Sequence, residues 1–432
     1  MPNKKSSVAL TAIFAIFTAT LFTSARATAQ VEKIVHTFGS NGEGGGGPSG
    51  NLIFDASGNL YGTTLYYGTY FYGTVFELTP QPGGGWTEKV LHSFNGKDGW
   101  KPSCGLIFDA AGNLYGTTQQ GGTGLCFDHN RIPTGCGTVF ELSPQSDGTW
   151  TFTTLHNFNN DGTDGVGPFA GLIFDHAGNL YGTTYQGGAA CHTVGCGTVF
   201  ELSPASGGGW TEKILHSFSG KNGIAPYAGL IFDAAGNLYG TTLDGGTYST
   251  GTVFELMPKG TLGWTERVLY SFNYYANNNQ GPAFPFSSLV FDAAGNLYGT
   301  TFQGGPSGVF GGTVFELTPS GGGNWTETSI HTFDTRGDGE QPVAGVVFDA
   351  RGNLYGTTGS GGAYERGTVF ALKPTTGGGW TEAVLHSFGN GTDGDEPQGS
   401  LILDPAGNLY GTTVFGGSSG TGANGTVFEI KP

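Results

Sequence analysis

The chain carries little charge and, past its first thirty residues, no long apolar run. Only 12% of its 432 residues are charged, and 17 basic residues stand against 33 acidic ones. A net charge of −16 repels phosphate backbones and anionic lipid, so nucleic acid is not expected as a partner. The same scarcity of charge excludes a disordered acidic chain. No later stretch approaches 18 apolar residues, so no membrane span is expected in the mature form. Also missing are a dinucleotide fingerprint, a phosphate loop, an H-E-x-x-H zinc motif and a Ser-His-Asp set. No catalytic residue is assigned on this reading, and there are five cysteines with no zinc-site spacing.

The N-terminus has a different character. Lys4 and Lys5 precede an apolar run from Val8 to Phe22, followed by Ala25, Ala27 and Ala29. A basic start, a short apolar stretch and an A-x-A exit describe a signal peptide over residues 1–29. The mature protein is then expected to be secreted, outside the cytoplasm. Removing Lys4, Lys5 and Arg26 leaves 14 basic against 33 acidic residues, a net charge of −19.

Glycine is abundant, 82 residues, and it is periodic. Asp-x-x-Gly-Asn-Leu-Tyr-Gly-Thr-Thr begins at Asp55, Asp109, Asp175, Asp233, Asp292, Asp349 and Asp404. Each copy leads to Gly-Thr-Val-Phe, and six continue into Trp-Thr and a segment ending in Phe. Residues 30–432 divided by seven give roughly 57 per unit. In the first unit the pattern predicts strands over Asn51–Asp55, Leu60–Thr64, Gly73–Leu78 and Trp86–Phe94, bounded by Gly, Pro and Asp. Four strands at that period make a propeller blade. The expected fold is all-β, a single seven-bladed β-propeller over residues 30–432, and a monomer.

The order of the pieces predicts how the ring closes. The chain opens on a lone fourth-type strand, Glu32–Phe38, and finishes on a third-type strand, Gly425–Ile430. The N-terminal strand should therefore complete the last blade and remove its free edge. Charge in Glu88-Lys89, Glu212-Lys213 and Glu266-Arg267 places the Trp-Thr strand outermost, and the apolar Leu-Ile-Phe run belongs nearest the axis. On one face every turn has constant length. On the other, the Thr-to-Gly loops hold 8, 18, 12, 8, 10, 8 and 11 residues. Binding is expected on the variable face.

Gly-Leu-Ile-Phe-Asp-x-x-Gly-Asn-Leu-Tyr resembles the NHL-type propeller repeat. The longer pattern, with His-Ser-Phe, Leu-Tyr-Gly-Thr-Thr and Gly-Thr-Val-Phe, resembles the Gloeo/Verruco (GloVer) repeat over residues 31–432. That resemblance implies a tandem-repeat bacterial surface or secreted protein and supplies no catalytic residues.

Several side-chain sets invite a functional reading. The seven repeated aspartates are read as turn formers, since one stands in every blade. His36, His92, His156, His216, His331 and His386 share one outer-strand position, with Tyr270 in the seventh. Lying in different blades, they cannot converge on one ion, and packing is the expected role. Cys126 with Cys136, and Cys191 with Cys196, bracket two variable loops and are expected as disulfides, with Cys104 a buried thiol. The acidic loops 159–165 and 390–396 offer Asp161, Asp164, Asp393, Asp395 and Glu396 as oxygen ligands for Ca²⁺. Aromatic residues crowd the variable face: Tyr66, Tyr67, Tyr70, Tyr72, Phe127, Tyr185, Tyr248, Phe302 and Tyr364, with the blade-specific His129 and His192 beside them. Rings among Asn, Gln and Asp suit stacking on sugars. An extracellular polysaccharide or a surface protein is the expected partner. The alternative is a glycan-cleaving lyase or hydrolase, which requires two loop carboxylates about 5–9.5 Å apart.

Overall fold

A computed structural model describes residues 32–39, 44–191, 195–305, 311–333, 337–417 and 424–432. The expected signal peptide and His192 lie outside these residues. Seven antiparallel sheets form the blades of a β-propeller, six of them running in chain order from an inner to an outer strand and the seventh taking its outer strand from the N-terminus. In the first blade these are Ile53–Phe54, Leu60–Thr64, Thr74–Pro80 and Trp86–Ser93. The inner strand is shorter than its apolar run. The residues ahead of it turn in to line the axis, and Asp55 opens the following turn.

That turn explains the repeated motif. Asp55 Oδ1 accepts hydrogen bonds from the backbone N–H of Ser57 and Asn59, both at 2.8 Å, and Asn59 Nδ2 donates to Oδ2 at 2.8 Å. Gly58 takes φ +84°, a value that side chains with a Cβ resist. The Tyr61 hydroxyl reaches back to Asp55 at 3.3 Å and to Glu77 at 3.0 Å. Gly62 is required for a different reason: a Cβ there would lie 2.6 Å from Phe76 Cζ and 2.9 Å from Leu52 Cδ2. The two threonines after it divide their work. Thr64 shares a buried hydroxyl pair with Thr74 at 2.8 Å, and Thr63 donates to the Cys104 carbonyl of the next blade at 3.0 Å.

No blade holds its own core. Tyr61, Val75 and Phe94 of the first blade pack with Leu106, Leu114, Phe140 and Leu142 of the second. The same arrangement recurs around the ring, each fully buried Phe contributing roughly 1.5–3 kcal/mol. Closure follows the predicted clasp. Lys33–Thr37 pairs antiparallel with Thr426–Ile430, and Val35 and Phe38 join Leu52, Phe76, Tyr410 and Val427 in one cluster. Thr412 Oγ1 donates to the Gly50 carbonyl at 3.3 Å across the seam. No described helix is long and apolar enough to cross a membrane.

Candidate functional site

The residues before the seven inner strands converge on the axis. They enclose a cavity of about 210 Å³ lined by small side chains, backbone and three rings, Phe169, Tyr227 and Phe286. These rings follow Pro168, Pro226 and Pro285, at a position where the other four blades carry Ser49, Ser103, Val343 and Gln398. That variation after a repeated proline is the signal that could have marked these rings, which the sequence reading did not single out. None of the residues lining the cavity is a carboxylate. The repeated aspartates sit at the opposite face, bound into their turns as expected.

A second hollow, of about 360 Å³, lies on the variable face between the loops of the second and third blades. Phe127, His129 and Tyr185 line it together, with Gln119, Gln120, Asn160 and Gln186 around them. Phe127 is 57% exposed, and Gln120 Oε1 is buried without a hydrogen-bond partner. The Cys126–Cys136 disulfide braces the loop that carries Phe127 and His129, and Cys191–Cys196 braces the next variable loop. Tyr185 also stacks on Tyr227 at 5.2 Å, and Tyr227 on Phe286 at 4.9 Å, while Phe169 meets Tyr227 edge-on at 5.1 Å. A row of rings therefore leads from the hollow to the axial cavity.

The remaining aromatic candidates are dispersed. Tyr66 and Tyr70 are exposed on the first blade's loop, Tyr248 and Tyr364 are exposed on two others, and Phe302 is half-buried. Tyr67 meets Phe71 edge-on, Tyr72 packs against Trp100, and Tyr70 borders its own shallow hollow with Asn95 and Lys97. Cys104 is buried at the axial cavity, accepting a hydrogen bond from Thr117 N–H at 3.1 Å.

The acidic-loop residues fall into separate roles. Asp161 caps its own loop, accepting from Thr163 and Asp164 N–H. Asp395 pairs with Arg366 at 3.2 Å, and Glu396 N–H donates to the Arg366 carbonyl. Asp164 and Asp393 instead face histidines of the outer strands. His386 Nε2 lies 3.2 Å from Asp393 and 3.5 Å from Glu32, and His156 Nε2 lies 3.5 Å from Asp164. Burial pushes the Glu32 carboxyl up to about 7, with His386 opposing and Asp393 adding. Burial, then Asp164, pushes Glu212 up to about 8. The histidines do not meet one another, as expected, but five of the six lie beside an acid of the following loop or the next outer strand, which was not foreseen.

Seven closed four-stranded blades, with loop variation gathered on one face, define a β-propeller that carries its candidate site on that face. The chain belongs to the Gloeobacter/Verrucomicrobia repeat family, whose model matches residues 15–189, 129–281 and 265–432. None of the curated proteins matches it. Among solved structures it is similar to a candidate gluconolactonase, at 16% identity and TM-score 0.35, over 68% of this chain and 84% of that one. A Dyadobacter fermentans protein of unknown function shares 12% identity at TM-score 0.45, over 93% and 99%. A candidate glucose dehydrogenase from Thermus thermophilus shares 13% at TM-score 0.39, over 93% and 100%. At these values the likenesses carry no argument about activity.

Proposed function

We propose that the protein is an exported binding module that recognises an extracellular polysaccharide through its variable-loop face. The observation that supports this reading most is the hollow formed by Phe127, His129 and Tyr185 with four side-chain amides, continued by stacked rings toward the axis. Ring faces bind sugar C–H groups, and side-chain amides both donate to and accept from hydroxyls. Two disulfides in the loops fit an oxidising compartment. The reading needs no catalysis, and the axial cavity offers no carboxylate pair.

The test is a binding screen of residues 30–432 against neutral and acidic polysaccharides, repeated with Phe127→Ala and Tyr185→Ala. At least one polysaccharide should bind, and each variant should weaken it roughly tenfold, since about 1–2 kcal/mol is lost with a stacking ring. Binding that both variants leave unchanged would overturn this site. Binding to no polysaccharide would overturn the ligand class. Release of shortened sugars during the screen would favour the lyase or hydrolase alternative.

A further inference from the structure

The outer-strand histidines meet a recurrent set of neighbours. His92, His156, His216, His331 and His386 each stand beside an Asp or Asn of the loop that follows, and the next outer strand brings up the residue two places after its Trp or, where the N-terminal strand closes the ring, Glu32. At three of the junctions all three positions hold metal-ligating residue types, and at two of these the ligand atoms converge. His156, Asp164 and Glu212 bring one ligand atom each within 4.8 Å of the others, and so do His386, Asp393 and Glu32.

From this geometry we infer that these two junctions each bind one divalent transition-metal cation of the zinc class. Four ligands at about 2.0–2.1 Å around a tetrahedral ion stand roughly 3.3 Å apart. The nitrogen–oxygen separations here are 3.2 and 3.5 Å at His386 and 3.5 Å at His156. An imidazole with two carboxylates suits zinc, whereas calcium takes oxygen ligands throughout.

A separate observation bears on each place, although the equivalent Glu88, Glu266 and Glu382 also have a buried Oε1 without a hydrogen-bond partner. The Glu32 side chain is only 6% exposed, yet its Oε1 has no hydrogen-bond partner. Glu212 Oε1 and His156 Nε2 are likewise buried without one. A buried carboxylate oxygen left unpaired beside a second carboxylate is unfavourable unless a proton or a metal cation completes it. The two sites join different elements. One links the second and third blades. The other ties the residue before the closing strand to the sixth blade's outer strand and the loop after it.

The repeat provides internal controls. At the junction of the first and second blades His92 and Asp98 remain, but Phe152 occupies the glutamate's place and stacks on the imidazole at 4.1 Å. Between the third and fourth blades Asn222 replaces the aspartate, its amide 2.9 Å from His216 Nε2. Neither set has three ligands.

The test is metal analysis of the purified protein dialysed against zinc, followed by calorimetric titration of the chelator-treated protein with zinc and with calcium. Two equivalents of zinc are expected, and thermal unfolding should shift upward with zinc and not with equimolar calcium. Glu32→Gln and Glu212→Gln should each remove one equivalent, while Asp98→Asn should remove none. The wild-type titration does not depend on any variant folding. Fewer than one tightly bound equivalent, a calcium response equal to that of zinc, or two equivalents retained in both Gln variants would overturn the assignment.

Discussion

Asp109 carries more of the fold than its position in a surface turn implies. Its carboxylate accepts from Ala111 and Asn113 N–H, from Asn113 Nδ2 and from the Tyr115 hydroxyl, at 2.7–3.1 Å. Partial burial pushes this carboxyl upward, but hydrogen bonds from Asn113 and Tyr115 outweigh it and hold it below the usual range. A depressed carboxyl contributes stability that is present above about pH 4 and is lost as pH falls through the folded value. Asp109→Ala should therefore destabilise the protein by about 1–3 kcal/mol near neutrality, with the deficit shrinking in acid. Chemical denaturation at pH 7 and pH 3 measures both. Gly62→Ala should cost a similar 1–3 kcal/mol by overpacking against Phe76. Turn chemistry was legible because seven copies of Asp-x-x-Gly-Asn leave only a local role for each aspartate. The tyrosine hydroxyl that completes the turn was not, since Leu-Tyr reads only as strand.

Between elements, the junctions of outer strands carry the pH dependence. Burial, with Asp338 adding, pushes the Glu382 carboxyl up to about 7. A raised carboxyl contributes stability that is complete below about pH 4.5 and is lost as pH rises through 7. Burial drives His216 down to about 4, so its contribution is present above about pH 6.5 and lost as pH falls through 4. Glu382→Gln should match the wild type in thermal midpoint near pH 4.5 and exceed it at pH 8. A wild type that gains on the variant above pH 7 would contradict this. These junctions escaped the sequence reading for a geometric reason. His156 and Glu212 are 56 positions apart, and only the stacking of successive blades brings repeat position onto repeat position. The variable loops were legible in place but not in shape. Their lengths do not repeat, so nothing in the pattern set Phe127 and Tyr185 on one hollow while leaving Tyr248 and Tyr364 apart. The Cys126–Cys136 bridge should matter locally: replacing both with Ser should weaken polysaccharide binding while leaving the main unfolding transition near its original midpoint.

For the whole molecule, closure makes the first strand as important as any interior one. Phe38 is fully buried and meets Phe76 edge-on at 5.1 Å, just as Phe218 meets Phe254 at 5.0 Å. Phe38→Ala and Phe218→Ala should therefore destabilise alike, by about 3–5 kcal/mol, in one cooperative transition. A Phe38 variant costing under about 1 kcal/mol would indicate a frayed end rather than a clasp. The ring was readable from the frame of the repeat, a fourth-type strand first and a third-type strand last. The ligand was not, because a scaffold repeated seven times says nothing of what its unrepeated loops hold.

On the proposed function, the repeat builds the scaffold and the variable face binds the polysaccharide. Amide hydrogen exchange with and without a bound oligosaccharide tests it most directly. Protection should rise at residues 119–135, 160 and 185–186 and stay unchanged in the Asp-x-x-Gly-Asn turns. Protection confined to those turns, or to the outer strands, would contradict it.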